Sequence, residues 1–186
     1  MLRSHRTLPP AQHELVDCRP MSAKIVFEGK HVLVLERGGW QFVERKKAKE
    51  AVAVIARTPD GKLIFTEQFR HPVGARVIDW PAGLVGDEGN DDPAESARRE
   101  LSEETGFTCK AVKLLASGPT SPGITSEIVH LYRATGVRRR GKGEEDISVH
   151  LVPASKAESW LKARAKTRTL IDMKVWAGLY FAMKST

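Results

Sequence analysis

"RRELSEETGF", residues 98–107, sets Glu100, Glu103 and Glu104 into one short stretch at helical spacing. The residues around it predict the conformation. Asp92 is a natural N-cap, Pro93 suits the first helical position, Glu95 completes a capping box and Gly106 is a helix terminator. A helix is therefore predicted over 93–105. At about 100° per residue, Ala94, Ala97, Leu101 and Thr105 fall in a stripe about 80° wide that should face a core. Glu100 and Glu104 lie about 40° apart beside that stripe, with Glu103 about 60° beyond Glu100.

Such crowding is costly. Like charges at i and i+4 repel, and the carboxylates gather toward the helix C-terminus, where the macrodipole disfavours negative charge. A solvated acidic face is the plain explanation, yet here the acids cluster instead of alternating with bases. A bound cation would offset both costs. Three carboxylates with nearby backbone carbonyls and water form a hard oxygen site suited to Mg²⁺ or Mn²⁺. With no His or Cys within the stretch to serve as a ligand, zinc is disfavoured.

Outward from the helix, residues 24–36 read as extended and β-rich, and 40–46 can pair back across Gly38-Gly39. Residues 51–58 and 62–70 flank "PDGK", a strong hairpin signal. Residues 75–83 read as one strand ended by Pro81 and Gly83, followed by the loop "LVGDEGN". Strands are expected again at 110–117, 127–136 and 146–152, and helices at 154–164 and 170–184. The order lacks the regular alternation of a doubly wound sheet. The expected fold class is α/β or α+β, with helices packed on a mixed sheet.

The chain has 186 residues, 41% hydrophobic and 28% charged, which suits a single domain with a sizeable core. We expect a flexible leader over 1–23, with Met21 an alternative start and only weak transit-peptide character, and one domain over 24–186. No apolar run reaches membrane-span length, and the N-terminus lacks the apolar core of a signal peptide. Cys18 and Cys109 match no metal or redox spacing, so a reducing cytoplasm is expected. The net charge of +7 fits a soluble protein or one with an anionic partner. "VRRRGKG", residues 137–143, is a basic loop without interleaved aromatics, either solvated or a phosphate-attracting rim.

"RRELSEETGF" resembles the core of the Nudix hydrolase box, Arg-Glu-apolar-any-Glu-Glu-any-Gly-apolar, read here from Arg99 to Phe107. The resemblance extends over most of 25–184 and implies an α/β/α sandwich with a mixed sheet, preceded by an N-terminal antiparallel β-segment. It departs before the helix. Gly83 lies sixteen residues before Arg99 rather than fourteen, so the intervening loop is two residues longer. Asp91 stands where the family has its first Glu, and Asp87 and Glu88 lie in the lengthened loop. The resemblance implies divalent cations held by Glu100 and Glu104, with the Ala82 carbonyl as a further ligand. Arg99 would orient the carboxylates, and Glu103 would serve as ligand or as base for the attacking water.

The flanks are similar to the ADP-ribose pyrophosphatase branch, whose members hydrolyse nucleoside diphosphate sugars. "TEQFRHPVG" implies that Arg70 contacts a substrate phosphate. "WPAGLV" matches the segment before the box. "SPGITSE", residues 121–127, implies a substrate loop containing Ser121, Gly123 and Glu127. In "GEEDISVHLVP", Glu145 aligns with a metal-associated glutamate, while Gly143 stands where some members carry their base and Glu144 is the substitute. Trp40 is the candidate for stacking on a base, with ordinary sheet packing the equal alternative, whereas Trp80 should be core. The branch implies a homodimer. ADP-ribose is the expected substrate. GDP-mannose, a UDP-sugar, a dinucleotide and a capped RNA stay open, as does a non-catalytic nucleotide-sugar sensor. A nucleic-acid-binding module is disfavoured.

Overall fold

The computed structural model describes residues 22–86 and 92–184; most of the expected leader, together with Asp87, Glu88 and Asp91, lies outside the described residues. The strands β1 (Lys24–Glu28), β2 (Val32–Arg37) and β3 (Trp40–Arg45) form an antiparallel sheet, turned at Gly38-Gly39 as expected. Then come β4 (Glu50–Ile55), β5 (Lys62–Arg70), β6 (Ala75–Asp79), β7 (Ala82–Leu84) and α1 (Pro93–Thr105). After these follow β8 (Phe107–Thr108), β9 (Ala111–Pro119), β10 (Ile128–Thr135), β11 (Arg138–Arg139), β12 (Ser148–Pro153), α2 (Ala157–Arg164), β13 (Leu170–Ile171) and α3 (Met173–Met183).

Two mixed four-stranded sheets form the body, in the orders β7-β4-β10-β9 and β12-β5-β6-β13. The strand β4 shows how they are covered. Its alternate residues Val52 and Val54 join Ala97 and Leu101 of α1 in one buried cluster. Ala53 and Ile55 face the opposite way, into a second cluster with Phe65, Trp80, Leu161 of α2, and Val175 and Leu179 of α3. A strand apolar on both faces needs cover on both, and α1 on one side with α2 and α3 on the other supplies it.

Three expectations need correction. The "PDGK" turn forms, with the Gly61 amide donating to the Thr58 carbonyl at 2.9 Å and the Thr58 amide to the Lys62 carbonyl at 2.8 Å. The strands it joins do not stay paired as a hairpin. Beyond the single bridge of Arg57 to Leu63 they part into different sheets, β4 between β7 and β10, β5 between β12 and β6. Parting gives each strand ladder partners on both edges, which a buried backbone requires. The expected strand over 75–83 is also two strands. The chain leaves one sheet after Asp79 and enters the other at Ala82, with the Pro81 carbonyl accepting from the Val54 amide at 2.8 Å. At the C-terminus, the expected helix over 170–184 begins only after β13, and Asp172 caps it by accepting from the Lys174 amide.

The helix α1 occupies the span predicted for it. The Asp92 side chain accepts from the Glu95 amide at 2.8 Å, and Gly106 closes it in the left-handed region with φ 72°. The helix packs on β4 and β7, placing its carboxylates beside the sheet crossover. Among the described residues, no helix is long and apolar enough to cross a membrane.

Candidate active site

The shoulder of α1 carrying Glu100 and Glu104 is buried, at 8% and 7% exposure. Both carboxylates meet the short segment Ala82-Gly83 of β7. A Cβ built on Gly83 would lie 2.0 Å from the Cδ of Glu100 and 2.2 Å from each of its oxygens. Only glycine lets that carboxylate lie against the strand. The Ala82 amide donates to Oε2 of Glu104 at 3.0 Å, which ties this residue to the carboxylate pair through its N–H. Arg99 bridges the group, with its Nη1 3.0 Å from Glu100 and 3.1 Å from Glu103, and its Nη2 donating to the Leu84 carbonyl at 3.3 Å.

Burial pushes the Glu104 carboxyl up to about 8, and the charge of Glu100 adds to the rise; the Ala82 amide and, at longer range, Arg70 pull against it. Two buried carboxylates under that strain form a hard-oxygen donor set whose charge a divalent cation would compensate, so the residues fit the metal expected from the sequence. Glu103 is more open, its side chain 40% exposed. Among the described residues, no three His, Cys, Asp or Glu side chains gather as a metal-holding group. The late loop reaches the helix through backbone: the Glu144 amide donates to the Glu103 carbonyl at 3.0 Å. A Cβ on Gly143 would lie 2.2 Å from the Glu104 carbonyl oxygen. The side chains of Glu144 and Glu145 are exposed.

A cavity of about 650 Å³ opens at Ala82-Gly83, and both Arg70 and Glu127 line it. Arg70 has no ion-pair partner among the described residues, whereas Glu127 pairs with Arg45 at 2.8 Å. The 121–127 segment is docked on β3. The Val43 amide donates to the Ile124 carbonyl at 2.8 Å, and Nε1 of Trp40 to the Gly123 carbonyl at 3.0 Å. The Ser121 carbonyl closes the turn by accepting from the Ile124 and Thr125 amides. Trp40 is 65% exposed and is not part of the cavity wall, whereas Trp80 is fully buried, as expected.

Sequence reasoning missed Arg45, Asp79, Asp172 and Lys174, which line the same cavity. Nζ of Lys174 lies 3.0 Å from Asp79 and 2.6 Å from Asp172. Burial pushes the Asp79 carboxyl up to about 6 despite Lys174, while the two acids hold the Lys174 ammonium above its ordinary value against burial. The available signals were an acid inside the apolar run "VIDW" and the capping pattern Asp172-Met173-Lys174.

Comparison with known proteins places the chain in a family. A family model of the NUDIX domain matches residues 47–171. A methanol dehydrogenase activator from Bacillus methanolicus is 42% identical over 105 residues, 55% of this chain and 56% of that protein. An ADP-ribose pyrophosphatase from Bacillus subtilis is 44% identical over 84 residues, 45% of this chain and 44% of its own. A GDP-mannose pyrophosphatase from Yersinia enterocolitica is 33% identical over 90 residues, 45% of this chain and 46% of its own. The chain thus spans about half the length of the curated relatives it matches. In three dimensions it resembles an ADP compounds hydrolase at a TM-score of 0.56 and 16% identity, covering 80% of this chain and 96% of that one, a likeness of fold.

Proposed function

The chain belongs to the NUDIX domain family, and from that premise we propose that it hydrolyses the diphosphate linkage of nucleoside diphosphate sugars, ADP-ribose first among them, with Mg²⁺ and secondarily Mn²⁺. The carrying observation is the buried Glu100–Glu104 pair laid against Ala82-Gly83 at the wall of a cavity that also presents Arg70. The ADP-ribose and GDP-mannose pyrophosphatases among its relatives support the substrate class.

When bound, a divalent cation supplies neutralisation of the charge that develops on the diphosphate. Glu100 and Glu104 would hold it, and Arg99 keeps the carboxylates oriented from the outer side. Arg70 offers a planar guanidinium to a phosphate oxygen. Glu103, the more open carboxylate, takes the proton of the attacking water. The water oxygen bonds to one phosphorus, the bridging P–O bond breaks, and ADP-ribose yields AMP and ribose 5-phosphate. Glu144 and Glu145, on the loop seated against the C-terminus of α1, are the alternative bases. Trp40, Ser121, Gly123 and Glu127 form one docked unit beside the cavity, and we assign them to the nucleoside end. The exposed apolar side chains Ile25, Val26, Phe27 and Trp40 of the N-terminal sheet support a homodimer through that sheet.

The test is a panel of ADP-ribose, GDP-mannose, UDP-glucose, NADH and a diadenosine polyphosphate with Mg²⁺, scored by the phosphomonoester released. ADP-ribose should be cleaved, and Glu104→Gln should lose roughly 100-fold or more in kcat. Cleavage of none, or a Glu104→Gln protein as fast as the parent, would refute the assignment.

A further inference from the structure

Three polar side chains from two distant places in the chain meet on the cavity wall next to Ala82: Asp79 at the end of β6, and Asp172 and Lys174 at the cap and first turn of α3. Each is held in place independently of any ligand. Asp79 accepts from the Trp80 amide at 2.8 Å. Asp172 accepts from the Lys174 amide at 2.8 Å and donates its own amide to the Ile78 carbonyl at 2.9 Å. The Lys174 carbonyl accepts from Nε1 of Trp80 at 3.1 Å. The ammonium is therefore clamped, with two of its three N–H donors directed to Asp79 and Asp172.

The charge of this cluster decides what it can bind. One ammonium against two carboxylates leaves it net negative. Such a wall repels a phosphate, which has Arg70 to go to instead. A hydroxyl suits it well, because a hydroxyl both accepts and donates. It can accept the third N–H of Lys174 and donate to Asp172, whose side chain keeps 30% of its surface open.

We propose that Asp79, Lys174 and Asp172 form a subsite that reads a sugar hydroxyl of the substrate, with Lys174 as the donor and Asp172 as the acceptor. This rests on the hydrolase reading above and adds the feature that separates a nucleoside diphosphate sugar from a diphosphate carrying no sugar. A site built to hydrogen-bond a hydroxyl discriminates against analogues that lack it, because its buried polar groups are then left unpaired.

The experiment compares kcat/KM for ADP-ribose with that for the methyl ester of ADP, which keeps the nucleoside and the diphosphate and replaces the distal sugar with a methyl group. In Lys174→Met, ADP-ribose hydrolysis should fall roughly tenfold to a hundredfold, mainly through KM, as loss of a hydrogen bond to a charged group implies. Hydrolysis of the ester should be unchanged, and Lys174→Arg should restore part of the preference. If Lys174→Met folds poorly because Asp79 is left buried and unpaired, the Asp79→Asn/Lys174→Met double variant carries the same measurement. An equal fall on both substrates would show a purely structural role and overturn the proposal. A parent protein that cleaves neither compound would instead overturn the hydrolase reading, and the subsite with it.

Discussion

At Gly83 the missing side chain makes the room that the Glu100 carboxylate occupies. A methyl group there would overlap the Glu100 carboxylate, 2.0 Å from its Cδ, so Gly83→Ala should push that carboxylate off the strand. Overpacking of this kind costs about 1–3 kcal/mol, and misplacing a reacting group by about 1 Å can cost roughly 100-fold in rate. The variant should fold with a lowered melting temperature and lose most of its activity; full activity would mean that Glu100 does not need this position. Glu104 makes a prediction in pH. Its carboxyl is raised from an ordinary 4.5 to about 8, so between those values the folded protein holds a proton that the unfolded chain has released. Stability of the metal-free protein should therefore fall as pH rises through that window. Asp79, raised to about 6, adds a slope of the same sign over the lower part, so the informative quantity is a difference. Glu104→Gln keeps an acceptor for the Ala82 amide and removes the titration, and thermal melts in EDTA should show a flatter pH profile for it than for the parent. Added Mg²⁺ should flatten the parent's profile too. Identical slopes in parent and variant would contradict the assignment.

Among the elements, α1 and the late loop behave as one piece. Gly143 lies so close that a Cβ would stand 2.2 Å from the Glu104 carbonyl oxygen. Gly143→Ala should lift the 141–147 loop and carry Glu144 and Glu145 with it, without touching the box side chains. If either glutamate acts in the reaction, kcat should drop about tenfold or more with little change in KM; an unchanged kcat would leave Glu103 as the base. The helix was legible in the sequence because its signals are local: cap, capping box, terminator and stripe all lie within its own length. The carboxylate shoulder followed from the same geometry. Strand pairing was less legible. The "PDGK" turn was readable, but the partners of β4 and β5 lie far along the chain, and local pattern cannot show that two double-faced apolar strands gain more by parting. The same holds for Asp79 and Lys174, which meet only because the chain changes sheets at Trp80-Pro81 and α3 docks behind it. Gly178 shows how close that docking is, since a Cβ there would lie 2.2 Å from Nε1 of Trp80.

Across the whole molecule, the charge of the cavity and the charge of the chain play different parts. Arg45, Arg70 and Lys174 line the cavity together with Asp79, Glu127 and Asp172, so the lining is balanced, and Glu100 and Glu104 lie against Ala82-Gly83 of its wall rather than in the lining. That local field gives a diphosphate no net attraction before a cation binds. Long-range attraction must come from the chain as a whole, which carries +7, with residues such as Arg138, Arg139 and Arg140 exposed at the surface. Attraction of this kind is screened by salt, because the Debye length shrinks from about 30 Å at 0.01 M to about 8 Å at 0.15 M. With Mg²⁺ saturating throughout, kcat/KM for ADP-ribose should therefore fall several-fold across that range through KM, while kcat, set by contacts inside the cavity, stays level. Reversing the three arginines to glutamates should weaken the salt dependence without changing kcat. A kcat/KM indifferent to salt would place the whole attraction in the bound cation and Arg70, and would make the surface charge a matter of solubility alone.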